Sequence, residues 1–262
     1  MPAFDDNYLW LIKDIAGNAA VVDPGDAEPV QAALEHHGLR LAAILTTHHH
    51  GDHTGGVSEL VDRWACPVFG PASDLDRIPS ITEPLSGGDA RQLTAPALSF
   101  RVIEVPGHTR THIAYYLPRL GDRDPRPVLF CGDTLFAAGC GRMFEGNPQQ
   151  MLASLKKLAA LPEDTLVFCA HEYTVSNLHF ARAAEPNGPI VAKRMAEAQQ
   201  MRADGLATVP SSIGIELASN PFLRTAQPGV LAALTEHLGS APADEGAAFA
   251  GLRGWKDVFR AT

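Results

Sequence analysis

The chain has 262 residues, 21 basic and 30 acidic, for a formal net charge of −9, which is long enough for one large domain or a domain with a smaller module. Apolar residues at 45% and charged residues at 19% exclude a disordered chain, and no run approaches the roughly 20 apolar residues that span a bilayer. The acidic balance excludes a nucleic-acid binder that works through bulk charge. In chain order, residues 18–22 read as an apolar strand running into the turn Asp23-Pro24-Gly25-Asp26. Residues 29–37 read as a helix. Residues 41–46 form a strand followed at once by Thr47-His48-His49-His50. Residues 54–64 read as a helix, with Val57, Leu60, Val61 and Trp64 at helical spacing. Short strands follow at 67–70 and 98–105, the second leading into Pro106-Gly107-His108. Residues 113–117 and 127–131 read as strands joined by a polar turn at 119–126. Asn147-Pro148 is a helix start, an N-cap followed by proline. Residues 165–169 are the last apolar strand.

Beyond that strand the period becomes helical, at 174–184, 189–204, 229–238 and 244–260, with Gly205 and Gly239 where C-caps belong. No strand is expected there. Residues 1–172 carry the whole net charge and residues 173–262 are neutral. The expectation is an α/β module over 1–172 and a helical module over 173–262. The four cysteines, Cys66, Cys131, Cys140 and Cys169, include no C-x-x-C pair and are too sparse for a disulfide scaffold. The opening residues lack the basic flank and apolar core of a secretory signal. A reducing, cytoplasmic setting is expected.

One pattern organises the first module: four apolar runs each lead to a residue able to bind metal. They deliver His48 and His50, then His108, then Asp133, then His171. Strands lying side by side would bring these ends to one rim. In His48-His49-His50-Gly51-Asp52-His53, positions i and i+2 of extended chain face one way. His48 and His50 can therefore share an ion while His49 points away. Gly51 permits a sharp change of direction, after which Asp52 and His53 can serve a second ion. Imidazole and carboxylate donors suit zinc, and also iron or manganese. A bland reading exists for each residue: the histidines as a surface cluster, Asp52 as a helix cap, Asp23 as part of a turn rather than an orienting group. His112 reads equally as a buried structural histidine or as support for a ligand.

The run Thr47–His53 resembles the signature of the metallo-β-lactamase superfamily. More narrowly the chain is similar to the glyoxalase II (hydroxyacylglutathione hydrolase) family, through Val22-Asp23-Pro24-Gly25, Pro106-Gly107-His108-Thr109, Gly132-Asp133-Thr134, Gly139-Cys140-Gly141-Arg142, His171-Glu172-Tyr173, Asn220-Pro221-Phe222-Leu223-Arg224 and Arg253-x-x-Lys256. The resemblance implies an αββα sandwich followed by an all-α C-terminal domain. It implies a first ion on His48, His50 and His108, a second on Asp52, His53 and His171, and Asp133 bridging both. Asp52 and Asp133 would be the catalytic carboxylates. It further implies a glutathione thioester as substrate, S-D-lactoylglutathione foremost, cleaved by a metal-bridging hydroxide in the second step of methylglyoxal detoxification, with Arg142, Tyr173, Arg253 and Lys256 on the glutathione. On helix 244–260, Ala248, Leu252, Trp255 and Phe259 form one apolar face. Phe249, Arg253, Lys256 and Arg260 form another, which reads as an anion clamp or as a solvated basic stripe. Phe144 stands where some members have a tyrosine, Thr111 where a glycine is expected, and Asn147 where threonine is commoner. A mononuclear iron persulfide dioxygenase, another hydrolase of the fold and a non-catalytic metal-binding scaffold are the competing readings. A monomer free of nucleic acid and membrane is expected.

Overall fold

The apolar strands Asn18–Val22, Val68–Pro71, Ile113–Leu117 and Val128–Gly132 are buried on both faces, whereas Ala97–Glu104 alternates buried and exposed residues, with one face packed inward. The computed structural model describes residues 1–121 and 124–260. It divides into two compact units, Met1–Val105 with Thr111–Gly132, and Pro106–Arg110 with Asp133–Thr262. In the first unit, β1 (Pro2–Ala3) and β2 (Asn7–Tyr8) form a small antiparallel pair. Then come β3 (Trp10–Lys13), β4 (Asn18–Val22), α1 (Ala27–His37), β5 (Arg40–Leu45), α2 (Gly51–Thr54), α3 (Val57–Trp64), β6 (Val68–Pro71) and β7 (Glu83–Leu85). Their five strands make one sheet in the order β3-β4-β5-β6-β7, parallel except at β3–β4. The strands β8 (Ala90–Thr94), β9 (Ala97–Glu104), β10 (Ile113–Leu117) and β11 (Val128–Gly132) form an antiparallel meander.

These sheets pack face to face. Phe100 of β9 meets Tyr115 of β10 at 5.4 Å and Phe69 of β6 at 6.0 Å. The Tyr115 hydroxyl donates to the Thr46 carbonyl at 2.8 Å, and burial pushes its pKa well above the ordinary range. On the other side of the first sheet, Val30 and Leu34 of α1 and Val57 and Leu60 of α3 share a core with Val21, Ile44 and Val68.

The second unit contains β12 (Leu135–Phe136), β13 (Gly139–Cys140), α4 (Pro148–Ala159), β14 (Leu166–Cys169), α5 (Thr174–Ala184), α6 (Pro189–Ala203), β15 (Ser211–Ser212), α7 (Ile213–Ser219), α8 (Pro228–Leu238) and α9 (Glu245–Val258). Helix α4 begins as expected, with Asn147 and Gln150 forming a reciprocal capping box around Pro148. Gly239, at φ +74°, ends α8. Phe180 of α5, Phe222 in the segment after α7, Phe249 and Trp255 of α9, and Phe259 at its C-terminal end build an aromatic core.

Several expectations change. The helix at 54–64 is two helices, α2 and α3, broken at Gly55-Gly56. A Cβ at Gly55 would lie 2.6 Å from the Gly25 carbonyl oxygen, and one at Gly56 would lie 2.5 Å from Ala27 N. The pair is glycine because the Pro24–Ala27 backbone crosses it. Gly51 is not a special hinge: it lacks positive φ and a Cβ there meets nothing. Strand β15 and helix α7 occupy a stretch where no strand was expected. Ser212 pairs with Leu166 and then N-caps α7, an element too short to show a period. On α9 the buried residues are Ala248, Phe249, Leu252 and Arg253, so the buried stripe takes in part of the face that reads as basic. Within the turn expected at 119–126, Asp122 and Arg123 lie outside the described residues. Within the second unit, Asn177 of α5 and Glu216 of α7 bond to the hairpin β12–β13.

Candidate metal centre and binding cavity

The first unit supplies four of the seven expected ligands. Strand β5 ends at Leu45, and Thr46-Thr47 carry its direction into His48. Asp23, at φ +49°, closes β4 and donates its N–H to the Leu45 carbonyl at 2.9 Å. Its carboxylate accepts the Thr47 N–H and the Thr47 hydroxyl, both at 2.7 Å. It also takes His53 Nδ1 at 3.1 Å. The single Thr47 hydroxyl proton is thereby committed, so Thr47 Oγ1 accepts from His48 Nδ1 at 3.0 Å. Assigned from this network, both histidines carry their proton on Nδ1 and present the Nε2 lone pair. That tautomer is the one a cation requires. The His48 ring lies 4.7 Å from that of His50 and 4.1 Å from that of His53. Asp52 is held by the Asn7 amide at 3.1 Å, and its Oδ2 lies 3.5 Å from His53 Nε2.

The open readings around this loop resolve. Asp23 does more than turn the chain, since it orients His53 directly and His48 through Thr47. Gly25 lets that turn lie against the loop, because a Cβ there would fall 1.9 Å from the Asp52 carbonyl oxygen. His112 stacks on His48 at 4.5 Å and 18° while bonding the Ile113 carbonyl through Nδ1, so it is a packing support for a candidate ligand. His49 turns away to Asp74 and Arg77. Thr111, in place of glycine, donates its hydroxyl to the buried Asp74 at 2.6 Å.

The second unit brings together the other three. The two oxygens of Asp133 face different histidines: Oδ2 lies 3.4 Å from His108 Nε2 and Oδ1 lies 3.3 Å from His171 Nε2. His108 Nδ1 donates to the Arg142 carbonyl at 2.8 Å, which again leaves the lone pair on Nε2. The His108 loop is packed tightly. Gly107 has φ +152°, and a Cβ there would meet Met151 Cα at 2.9 Å. His171 stacks flat on Tyr173 at 4.7 Å and 4°, with Phe136 edge-on at 5.7 Å. The donor set therefore fits divalent cations: neutral imidazoles with defined tautomers and carboxylates between them. No thiolate is needed, and burial pushes the Cys140 thiol up to about 11 and the Cys169 thiol up to about 12.

His108 and Asp133 lie at one wall of a cavity of about 460 Å³ within the second unit. Arg142, Tyr173, Arg253 and Lys256 line it, together with Phe144 and Arg260. Arg253 is only 4% exposed. It donates from Nη1 to the Cys140 carbonyl at 2.8 Å and from Nη2 to Asp257 at 3.1 Å, over the Phe222 ring. It is no solvated stripe residue. Lys256 is held near the Ser176 carbonyl at 3.2 Å. Burial, with Arg253 and Arg142 beside it, lowers its pKa from 10.5 to about 8. Phe144 is exposed and sits edge-on to His108 at 5.3 Å. The sequence reading missed Asn7, Thr47, Phe136 and Ser176. Only Thr47 carried a signal, as the residue between the strand and the first histidine.

Two family models match the chain: Metallo-beta-lactamase superfamily over residues 4–171 and Hydroxyacylglutathione hydrolase C-terminus over residues 172–259. A hydroxyacylglutathione hydrolase of Cupriavidus taiwanensis is 54% identical, across 99% of this chain and 98% of its own. That of Pseudomonas entomophila is 52% identical over the same shares, 99% and 98%. Among solved structures, the B3 metallo-β-lactamase BLEG-1 superposes with a TM-score of 0.60 at 25% identity, over 83% of this chain and 94% of that one. TTHA1623 in a di-iron-bound form superposes with a TM-score of 0.56 at 28% identity, over 83% and 95%.

Proposed function

The chain belongs to the hydroxyacylglutathione hydrolases of the metallo-β-lactamase superfamily, and from that membership we propose that His48, His50, Asp52, His53, His108, Asp133 and His171 together hold two divalent ions. The protein is an enzyme, a thioesterase that cleaves S-(2-hydroxyacyl)glutathione, S-D-lactoylglutathione in the first place, to glutathione and a 2-hydroxy acid. Its metallo-β-lactamase domain and the His/Asp groups support divalent metal binding. Zinc is the ion we assign, since imidazole and carboxylate donors match it, and iron or manganese fits the same set. The observation that carries the site is the carboxylate of Asp133, with one oxygen toward His108 and the other toward His171, at the wall of a cation-lined cavity.

Two divalent ions bound there supply Lewis acidity and lower the pKa of water to about 7. The residues do the rest. His48, His53 and His108 are preset in the ligand tautomer by Thr47, Asp23 and the Arg142 carbonyl. Asp52, fixed by Asn7, is the group placed to take a proton from the attacking water. The leaving group departs as a thiolate, whose conjugate acid has a pKa near 8.5, so no side chain need protonate it. Lys256 and Arg142 draw the carboxylates of glutathione into a molecule that is otherwise acidic. Tyr173 presses on His171 and faces the same cavity. The expected test compares kcat/KM on S-lactoylglutathione with that on a thioester lacking the γ-glutamyl and glycyl groups. The truncated substrate should lose about 100-fold or more, since remote binding energy is used at the reacting carbon. Equal values reject the assignment of the cationic cavity to glutathione.

Asp23→Ala removes the acceptor of two orienting bonds. Metal affinity, read by chelator competition, should fall about 10- to 100-fold. An unchanged affinity removes Asp23 from the support of the ligands. The lowered pKa of Lys256 gives a pH effect of definite sign. Below about 8 the ammonium is charged and attracts a carboxylate; as pH rises through that value the attraction is lost. KM should therefore rise across that range in the wild type and stay flatter in Lys256→Met. Parallel profiles for the two proteins contradict the role given to Lys256. Among the described residues no helix is long and apolar enough to cross a membrane. We place the enzyme in the cytoplasm as a monomer without nucleic acid, in keeping with its buried thiols and acidic charge.

A further inference from the structure

Beneath the hairpin β12–β13 lies a buried polar network that the chemistry above does not use. Glu216 of α7 is fully buried. Its Oε1 accepts from Arg194 and from the Ser211 hydroxyl. Its Oε2 accepts the Ala138 N–H at 2.8 Å and the Asn220 amide at 2.9 Å. The same Asn220 nitrogen shares its protons with the carbonyls of Phe136 at 3.2 Å and Gly139 at 2.9 Å. Asn177 donates to the Ala137 carbonyl at 3.1 Å. The polar backbone of the turn is thus held by three side chains from two helices and the residue that follows α7.

The turn needs such holding. A two-residue hairpin loop favours glycine or asparagine at positive φ, and Ala138 sits at φ +56°. Alanine keeps that conformation only where its surroundings impose it. The hairpin in turn links a candidate ligand to the cavity wall. Gly141 N–H returns to the Thr134 carbonyl at 3.3 Å. A Cβ at Gly141 would fall 1.9 Å from the Asp133 carbonyl oxygen, so the segment after the hairpin presses on Asp133. The Cys140 carbonyl anchors Arg253, and the Arg142 carbonyl orients His108.

We propose that Glu216 and Asn220 are a positioning pair for the hydrolysis. They hold residues 135–140 in one conformation, which sets the Asp133 carboxylate, the carbonyl that orients His108 and the carbonyl that anchors Arg253. The proposal rests on the reading of His108 and Asp133 as metal ligands. Glu216→Gln keeps the shape but offers one oxygen where two are needed, so one side of the network faces an N–H with an N–H.

The test compares wild type, Glu216→Gln and Ser219→Ala. Ser219 accepts from Arg194 and none of its bonds reaches the hairpin, so it reports the structural cost of loosening the network. Three quantities are measured: zinc affinity by chelator competition, KM and kcat on S-lactoylglutathione, and the thermal midpoint of the metal-free protein. Glu216→Gln should weaken zinc binding about 10-fold and raise KM, whereas Ser219→Ala should move only the midpoint. Wild-type zinc affinity and KM in Glu216→Gln overturn the proposal, as do equal changes in both variants. Should Glu216→Gln fail to fold, Asn177→Ser, which releases only the Ala137 carbonyl, must show weaker zinc binding than wild type; an unchanged affinity there overturns it equally. A wild-type protein that neither binds zinc nor releases thiol strikes instead at the functional reading.

Discussion

Asp133→Ala should lose binuclear metal binding and lower kcat/KM by at least about a thousandfold, the scale of several kcal/mol of lost charge stabilisation. The two oxygens of Asp133 each face a different candidate ligand, His108 at 3.4 Å and His171 at 3.3 Å. Alanine removes both contacts at once and leaves the two imidazoles without the anion between them. Asp133→Asn is the sharper comparison. It keeps the volume but replaces one oxygen with a donor that cannot bind a cation. Both variants should retain the fold, because the neighbouring Thr134, Leu135 and Phe136 are themselves buried. Metal content and thiol release from S-lactoylglutathione are the readouts. Near-wild-type turnover in Asp133→Ala rejects the bridging role.

Arg253→Ala should act on stability and on substrate binding together. The guanidinium is buried, donates to the Cys140 carbonyl at 2.8 Å and pairs with Asp257 at 3.1 Å. Truncation leaves that carbonyl without its charged donor and opens a void over Phe222, a loss of about 3 kcal/mol. KM for the glutathione thioester should rise more than kcat falls, since the interaction lies away from the reacting carbon. Arg253→Lys retains the charge but lacks the planar fork that serves two partners. It should recover part of KM and little of the thermal midpoint. An unchanged KM in Arg253→Ala removes Arg253 from the binding cavity. The sequence left this residue as an anion clamp or a solvated basic stripe, and the resemblance put it on the glutathione. The structure places it among α9's buried residues, so a loss of stability joins the binding effect.

Much of the fold was legible because the signals are local. The apolar runs at 18–22, 41–46, 113–117 and 165–169 are short and hydrophobic, and each contains or borders a strand. The capping box at Asn147 and the positive φ at Gly239 follow from residue chemistry alone. The histidine-rich loop was legible from its i, i+2 spacing. What escaped depends on contacts between segments far apart. Asp23 reads as a turn residue until Thr47 and His53 lie against it, 24 and 30 residues away. The break at Gly55-Gly56 is invisible until the Pro24–Ala27 backbone crosses it. Glu216 looks like a surface acid on a short helix, yet it binds Ala138, 78 residues earlier. Gly51 seemed the hinge because glycine follows three histidines, but the glycines with steric necessity are Gly25, Gly55 and Gly56.

The most direct measurement is the metal content of the purified enzyme, taken on the same preparation as its thioester turnover. The account predicts two divalent ions per chain and release of one thiol per S-lactoylglutathione consumed, with no uptake of oxygen. A preparation that holds one iron per chain and consumes oxygen, or that holds metal and releases no thiol, contradicts it.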